Sequence, residues 1–273
     1  MPDIPASSTT PDRPPADQPT APLNSGGTIP LLGLGTWQAT GTEAYDATLR
    51  ALQLGYRHID TAKAYGNEDQ VGRAMADSGV GRDEVFLTTK LPPNDAGKES
   101  AVLRESLRKL GTDHLDLWLI HWPPNRGAGV ATWRAFVDAQ QAGSATAIGV
   151  SNYGPAQLDE LTQATGIAPA VNQIPWSPYL ADPALAAAHA DRGVVLEGYS
   201  PLRGGVLDDP VIGEIARAHG RTPAQVILRW HLEHHVVAIP KSARPDRIAE
   251  NFDVLDWSLP PADIARIDGL TRA

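Results

Sequence analysis

HIDTAKAYGNE, running from His58 to Glu68, puts an aspartate, a lysine and a tyrosine within six residues. A short apolar approach, ALQLGYR, leads into it, and NEDQVGRAMAD, which begins at its end, reads as a fresh helix. The stretch is therefore the end of a strand, a polar loop and a helix start, with Asp60 closing the strand. The same unit recurs. The apolar runs LLGLG, YRHID, VFLTTK, LDLWLIH, ATAIGVSN, AVNQ, VVLEGYS and VVAIP alternate with helix-like segments. Their last residues, Gly35, Asp60, Lys90, His121, Asn152, Gln173, Tyr199 and Pro240, lie 25, 30, 31, 31, 21, 26 and 41 apart, which suits repeated strand–helix units. Runs so short and apolar belong in a parallel sheet covered on both faces.

Eight such units in about 250 residues is the size of an α/β (β/α)8 TIM barrel. The rival is a doubly wound open sheet, which wants a Gly-rich phosphate fingerprint after an early strand. GLGTWQATG has its first two glycines in register but lacks the third. Ahead of the first unit, PLNSGGTIP reads as a β-hairpin turning at Gly26 and Gly27 and plugging the bottom of the barrel. Residues 1–22 carry seven prolines and almost no bulky apolar side chain, so they are expected to be a disordered tail. Residues 23–273 then form a single barrel domain.

Composition narrows the function. The 273 residues include no cysteine, which excludes disulfides, thiolate nucleophiles and thiolate metal sites. A net charge of −9 repels nucleic-acid phosphates. No apolar run approaches the roughly 20 residues of a membrane span, and the N-terminus lacks a signal pattern, so the expected location is cytoplasmic. Lysine is scarce, five against eighteen arginines, which draws attention to where each one sits.

In a barrel the C-terminal strand ends share one rim, and active sites sit there. Asp60, Tyr65, Lys90 and His121 come from successive strand–loop regions. Singly, Asp60 could cap a turn, Lys90 could be a solvated strand end, and His121 a core histidine. Together they are hard to assign to packing, because buried charge is costly unless paired. A tyrosine, with a pKa of about 10, is a reluctant proton donor near neutrality. A neighbouring ammonium lowers that pKa, and a carboxylate can aim the ammonium. A histidine can orient the reacting oxygen. The set suits proton delivery to a carbonyl oxygen and supplies no metal cage. The attack on carbon could come from Lys90 as a Schiff base, or from a cofactor hydride. After the last run, Lys241, Arg244 and Arg247 crowd a helix start, which on an acidic protein reads as a phosphate patch.

In order along the chain, LGLGTW (32–37), YRHIDTAKAYGNE (56–68), LTTKL (87–91), LWLIHWP (117–123), IGVSNY (148–153), VNQ (171–173), GYSPL (198–202) and IPKSARPDRIAEN (239–251) resemble the motifs of the aldo-keto reductase family. The resemblance runs from Pro22 to Leu270 and is closest to bacterial 2,5-diketo-gluconate reductase-like members. It implies a barrel that binds NADPH (NADP+) and, as a monomer, reduces small aldehydes or ketones, α-dicarbonyls or keto-sugars among them. It implies Tyr65 as general acid, Lys90 tuning it, Asp60 pairing with Lys90, and His121 orienting the substrate. Asn152 and Gln173 would hold the carboxamide, with Ser151 also at the cofactor, Tyr199 would stack on the nicotinamide, and Ser200 and Leu202 would line the pyrophosphate path. Lys241, Ser242 and Arg247 would grip the 2′-phosphate, with Glu250 and Asn251 near the adenine. Thr36, Trp37 and Ala224 match further cofactor-contacting positions. Trp37, Trp122 and Trp176 would wall the substrate pocket with Tyr65 and His121. Two departures stand out: NQIPWSP puts Pro175 and Ser177 where relatives carry an acidic residue and a histidine, and Arg203 replaces a glycine. A cofactor-binding regulator without catalysis and a Lys90 Schiff-base lyase are the alternatives.

Overall fold

The structure, a computed structural model, describes residues 18–124 and 127–272. Ten strands and ten α-helices are present among them. β1 (Thr20–Pro22) and β2 (Thr28–Pro30) form the expected hairpin, and its turn contains Gly26 and Gly27 at φ 89° and 73°. Those left-handed conformations are the reason glycine stands at both turn positions. β1 falls inside the segment expected to be a disordered tail, so ordered chain begins before Leu23; residues 1–17 lie outside the described residues. Backbone pairing with β2 and burial of Ala21 hold the strand down, which its proline-rich composition did not suggest. The hairpin sits at the bottom of the barrel, where Asn24 Nδ2 donates to Pro169 O just ahead of β8.

The remaining strands are β3 (Leu34–Gly35), β4 (His58–Asp60), β5 (Phe86–Leu91), β6 (Leu115–Ile120), β7 (Ala145–Ser151), β8 (Val171–Pro175), β9 (Val195–Tyr199) and β10 (Val237–Ile239). Each coincides with one of the apolar runs. They pair in parallel in sequence order, and bridges from Leu32 to Ala238 and Gly35 to Lys241 join the last strand to the first. Gly33 N and Gly35 N donate to Ala238 O and Pro240 O across that seam. Eight parallel strands with helices between them make the (β/α)8 barrel.

The helices follow from local chemistry. Proline occupies the first position of α5 (Pro155–Thr165), α6 (Pro183–Ala190), α7 (Pro210–His219), α8 (Pro223–Glu233), α9 (Pro245–Phe252) and α10 (Pro261–Asp268). The ring presets φ there, and the missing N–H is one the first turn would leave unpaired. Asp182, Asp209 and Thr222 add side-chain caps ahead of three of these helices. α1 (Thr42–Leu54), α2 (Glu68–Asp77), α3 (Glu99–Leu110) and α4 (Val130–Gln141) complete the ring. α7 was not among the expected elements; it fills the long interval between Tyr199 and Pro240 and packs with α8 and α10 in a second apolar cluster. The main core lies between sheet and outer helices, where the Trp118 and Phe136 rings stack with centroids 3.7 Å apart. No helix among the described residues is long and apolar enough to cross a membrane.

Candidate active site

At the C-terminal rim, a cleft of ≈ 630 Å³ opens between the loops that follow the strands. Asp60 lies on its floor, with Lys90 sealed beneath it. Lys90 is fully buried on β5, and its Nζ donates to Asp60 Oδ1 at 2.6 Å, Asp60 Oδ2 at 2.7 Å and Thr61 O at 2.9 Å. Burial disfavours the ammonium, but the Asp60 carboxylate and the Tyr65 hydroxyl overcome this and hold its pKa above the usual lysine range. Three donors on three acceptors leave no lone pair for a carbonyl carbon. That geometry argues against Schiff-base chemistry at Lys90.

Tyr65 stands above the pair, at the end of a 3-10 turn over Lys63–Tyr65. Lys90 Nζ lies 5.2 Å from the centre of its ring, and the His121 ring meets it edge-on at 5.6 Å. Burial raises the Tyr65 pKa, Lys90 pulls it back, and the balance stays above the ordinary value. The lysine therefore offsets burial instead of lowering the tyrosine below its usual range, as the residue types alone suggested. His121 is pushed down to about 3 by burial, with Lys90 adding to it, so its imidazole is neutral. A neutral imidazole can donate one hydrogen bond to a carbonyl oxygen without carrying charge into the cleft.

The turn carrying Tyr65 is braced from outside. Asn67 occupies the position before α2, but its side chain does not cap the helix. It is buried, accepts from Thr61 Oγ1 at 2.8 Å, and donates to Thr36 O and Ala39 O at 3.0 and 2.9 Å. Glu68, next to it, accepts from Thr89 Oγ1 at 2.7 Å. Lys63 points away to Asp95 at 2.7 Å and takes no part in the site.

Trp37, Ser151, Asn152, Gln173, Tyr199, Ser200, Leu202, Lys241 and Trp122 line the cleft with Asp60, Tyr65 and His121. Trp37 and Trp122 keep 43% and 48% of their surface exposed, as rings awaiting a ligand face would. Trp176 is instead buried in the second apolar cluster and walls nothing. Thr36 sits behind the rim, where its N–H and Oγ1 both donate to Asp60 O. Gln173 Nε2 donates to Asp60 Oδ2 at 2.8 Å, Ser151 Oγ to Gln173 O at 2.8 Å, and Tyr199 OH to Asn152 Oδ1 at 2.9 Å. Gln173 Oε1 and the second lone pair of Asn152 Oδ1 keep capacity for a ligand amide.

Four non-glycine residues among those described have left-handed backbone, and three of them, Gln38, Asn152 and Ser200, line this cleft. Such conformations persist where the surroundings impose them, and they gather at ligand sites. Asparagine tolerates the region and hinted at Asn152; nothing in the sequence marks Gln38 or Ser200 this way. Arg203, also in the lining, lays its guanidinium 5.5 Å from the centre of the Trp37 ring.

The basic cluster is less uniform than its sequence. Arg244 is taken by Asp246 at 2.6 Å, and Lys241 Nζ lies 3.9 Å from Glu43 Oε2. Arg247 is exposed on α9, with no carboxylate paired to it among the described residues. Ser242 is buried, and its Oγ accepts from Arg244 N at 3.1 Å. Glu250 accepts from Thr222 Oγ1 at 2.6 Å, which joins the start of α8, with Ala224, to the segment carrying Glu250 and Asn251. Ala224, Ser242, Arg247, Glu250 and Asn251 therefore lie at the α8–α9 junction and not in the cleft itself.

A parallel barrel whose rim holds a tyrosine over a buried lysine–aspartate pair is the architecture of a carbonyl oxidoreductase. The family model for the aldo/keto reductase family matches residues 31–272, and the chain belongs to that family. It is 49% identical over 252 residues to an aldo-keto reductase of Mycolicibacterium smegmatis, covering 91% of this chain and 92% of the relative. It is 42% identical over 254 residues to methylglyoxal reductase DkgA of Escherichia coli K12, with 92% of each covered. The structure of the Bombyx mori aldo-keto reductase in complex with NADP superposes with a TM-score of 0.87 at 35% identity, over 93% of each chain.

Proposed function

We propose that this protein reduces small aldehydes and ketones with NADPH, Tyr65 supplying the proton. The observation that carries the reading is the Asp60–Lys90 pair buried beneath Tyr65, with a neutral His121 beside it, in an open cleft. The similarity to a methylglyoxal reductase favours compact α-dicarbonyls as substrates, and the NADP complex of a relative supports the cofactor.

The bound cofactor would supply hydride to the carbonyl carbon. The residues of the chain do the rest. Trp37 and Trp122 present apolar faces that seat the substrate and thin the water around it. His121 donates to the carbonyl oxygen and aims it at Tyr65. Tyr65 gives its hydroxyl proton to that oxygen as negative charge builds there, and Lys90 stabilises the phenolate left behind. Asp60 holds Lys90 in register. Asn152 and Gln173 would hold a carboxamide and Tyr199 would offer a ring face for stacking. Arg247, a cation with no carboxylate paired to it among the described residues, suits a terminal phosphate, helped by Lys241 and Ser242. That last feature is the basis for choosing NADPH over NADH.

The test is NADPH oxidation across a panel of methylglyoxal, aliphatic and aromatic aldehydes, keto-sugars and simple ketones, with Tyr65→Phe as control. Turnover that survives in Tyr65→Phe at the wild-type rate would remove the assignment.

A further inference from the structure

Beneath the cleft, the barrel interior is polar where such barrels are ordinarily filled with branched apolar side chains. His58 precedes Asp60 by two residues on β4, Thr88 precedes Lys90 by two on β5, and Glu197 precedes Tyr199 by two on β9. With the period of a strand, each projects to the same side as the site residue above it. All three are completely buried. Gly33 makes the room: a Cβ there would lie 2.7 Å from His58 Nδ1. His58 Nε2 is 3.3 Å from Thr88 Oγ1 and 3.6 Å from Glu197 Oε1. Among the described residues neither carboxyl oxygen of Glu197 has a partner at hydrogen-bonding distance, and the Gln173 amide faces it from the next strand.

Charge balance decides what state this layer is in. Asp60 and Lys90 cancel each other directly above it. A carboxylate at Glu197 would then be a buried charge helped only by the Gln173 amide and by a lysine already paired with Asp60, which is costly in a protein interior. A proton on His58 could balance it, but burial pushes that imidazole down to about 3, and Lys90 adds to the effect. Burial, and then Asp60, push Glu197 the other way, up to about 8, against the pull of the Gln173 amide and Lys90. At neutral pH the proton belongs to Glu197.

The groups around it are few. β4 presents His58 and Asp60, β5 presents Thr88 and Lys90, and β8 places Gln173 opposite Glu197 in the ladder. β10 places the apolar Val237 opposite it on the other side. Tyr65 lies above, within reach of the charge on Glu197. Gln173 also donates to Asp60 Oδ2, so the layer is connected to the pair that serves Tyr65.

We propose that Glu197 is a positioning residue that must keep its proton for the site to work, and that release of this proton to solvent slows reduction by placing a negative charge beneath Lys90 and Tyr65. The added charge competes for the Lys90 ammonium and opposes formation of the Tyr65 phenolate, so the tyrosine becomes a weaker acid. The inference rests on Tyr65 as proton donor.

The test is the pH profile of single-turnover reduction of methylglyoxal by the NADPH complex, in wild type and in Glu197→Gln. Wild type is expected to lose about tenfold in rate for each unit by which the tyrosine pKa rises, with an inflection near 8. Glu197→Gln, isosteric and permanently neutral, is expected to be flat through that region. Superimposable profiles would overturn the proposal. Stability gives a second readout. Glu197→Gln should melt higher than wild type at pH 8, with the gap closing toward pH 5, because only the wild-type folded state retains the proton between those limits. If the variant does not fold, wild-type enzyme with 13C-labelled glutamate decides the matter by infrared spectroscopy. A protonated-carboxyl band that bleaches between pH 7 and 9 supports the proposal, and its absence ends it. An active Tyr65→Phe would instead locate the failure in the proton-donor assignment.

Discussion

Lys90 Nζ sits 2.6 and 2.7 Å from the two carboxylate oxygens of Asp60, a two-pronged contact between neighbouring strand ends with the lysine sealed from solvent. Removing one partner strands the other. Asp60→Asn is expected to cost about 3–5 kcal/mol of stability, since an uncompensated buried ammonium remains. The raised lysine pKa fixes the sign with pH. The stabilisation is complete below the unfolded lysine value near 10.4 and fades as pH climbs through the higher folded one. Urea unfolding at pH 7 should show that deficit. A deficit that vanished at pH 7 would contradict the pair's role.

Tyr65→Phe removes the hydroxyl and keeps the ring that meets His121. Loss of general acid catalysis is worth about 10²–10⁴-fold, and kcat is expected to fall by that much. NADPH affinity, measured by fluorescence titration, should stay within twofold or so, because no cofactor contact is assigned to the hydroxyl.

Arg247→Ala deletes a cation that has no carboxylate paired with it among the described residues. A charge-assisted hydrogen bond is worth about 1.5–3 kcal/mol, so the Kd for NADPH should rise roughly 10–100-fold while that for NADH barely moves. Equal weakening of both would place Arg247 away from the 2′-phosphate. Arg244→Ala should do much less, because Asp246 already neutralises Arg244.

Acid stability follows from two other buried rings. Unfolded, His58 and His231 each take a proton near pH 6.5; folded, they wait until about 3 and about 4, because burial disfavours the imidazolium. Between those values only the unfolded chain binds the proton, and stability falls by about 1.4 kcal/mol per pH unit for each. Glu197 runs the other way, returning about 1.4 kcal/mol per unit as pH drops toward its unfolded value. The balance is a loss of at least about 1.4 kcal/mol per unit between pH 6.5 and 4.5. A denaturation series over that range checks it, and a gain of about 1.4 kcal/mol per unit, from Glu197 alone, would mean that the two histidines are charged in the folded protein.

The barrel was legible because its strands are short, apolar and evenly spaced, and each residue that closes a run stands at the rim. Asp60, Lys90, Tyr65 and His121 could be named from residue type and order because strand ends converge whatever the details of the loops. Other features could not be read this way. Asn67 looks like a helix cap in one dimension, and only packing shows that its amide reaches Thr36 and Ala39 instead. Trp176 follows β8 closely and reads as a pocket wall, yet the chain turns it into the second core. α7 has a capped proline start of its own, but it was hidden inside one long interval. The ion pair of Arg244 with Asp246 was on the page as a two-residue spacing, and counting positive charge alone passed over it. Glu197 sits in a run that alternation alone cannot separate from a wholly apolar strand, so its burial was invisible.

The bonds made by Asn67 divide the rim into two kinds of wall. The loops after β3 and β4 are stitched together through one amide, so the tyrosine's side of the cleft behaves as an extension of the barrel. Across from it, the loop after β9 meets Trp37 through the Arg203 guanidinium. If Tyr65 is the proton donor, remaking the β9 side alone would alter what the cleft admits while leaving that tyrosine's aim unchanged.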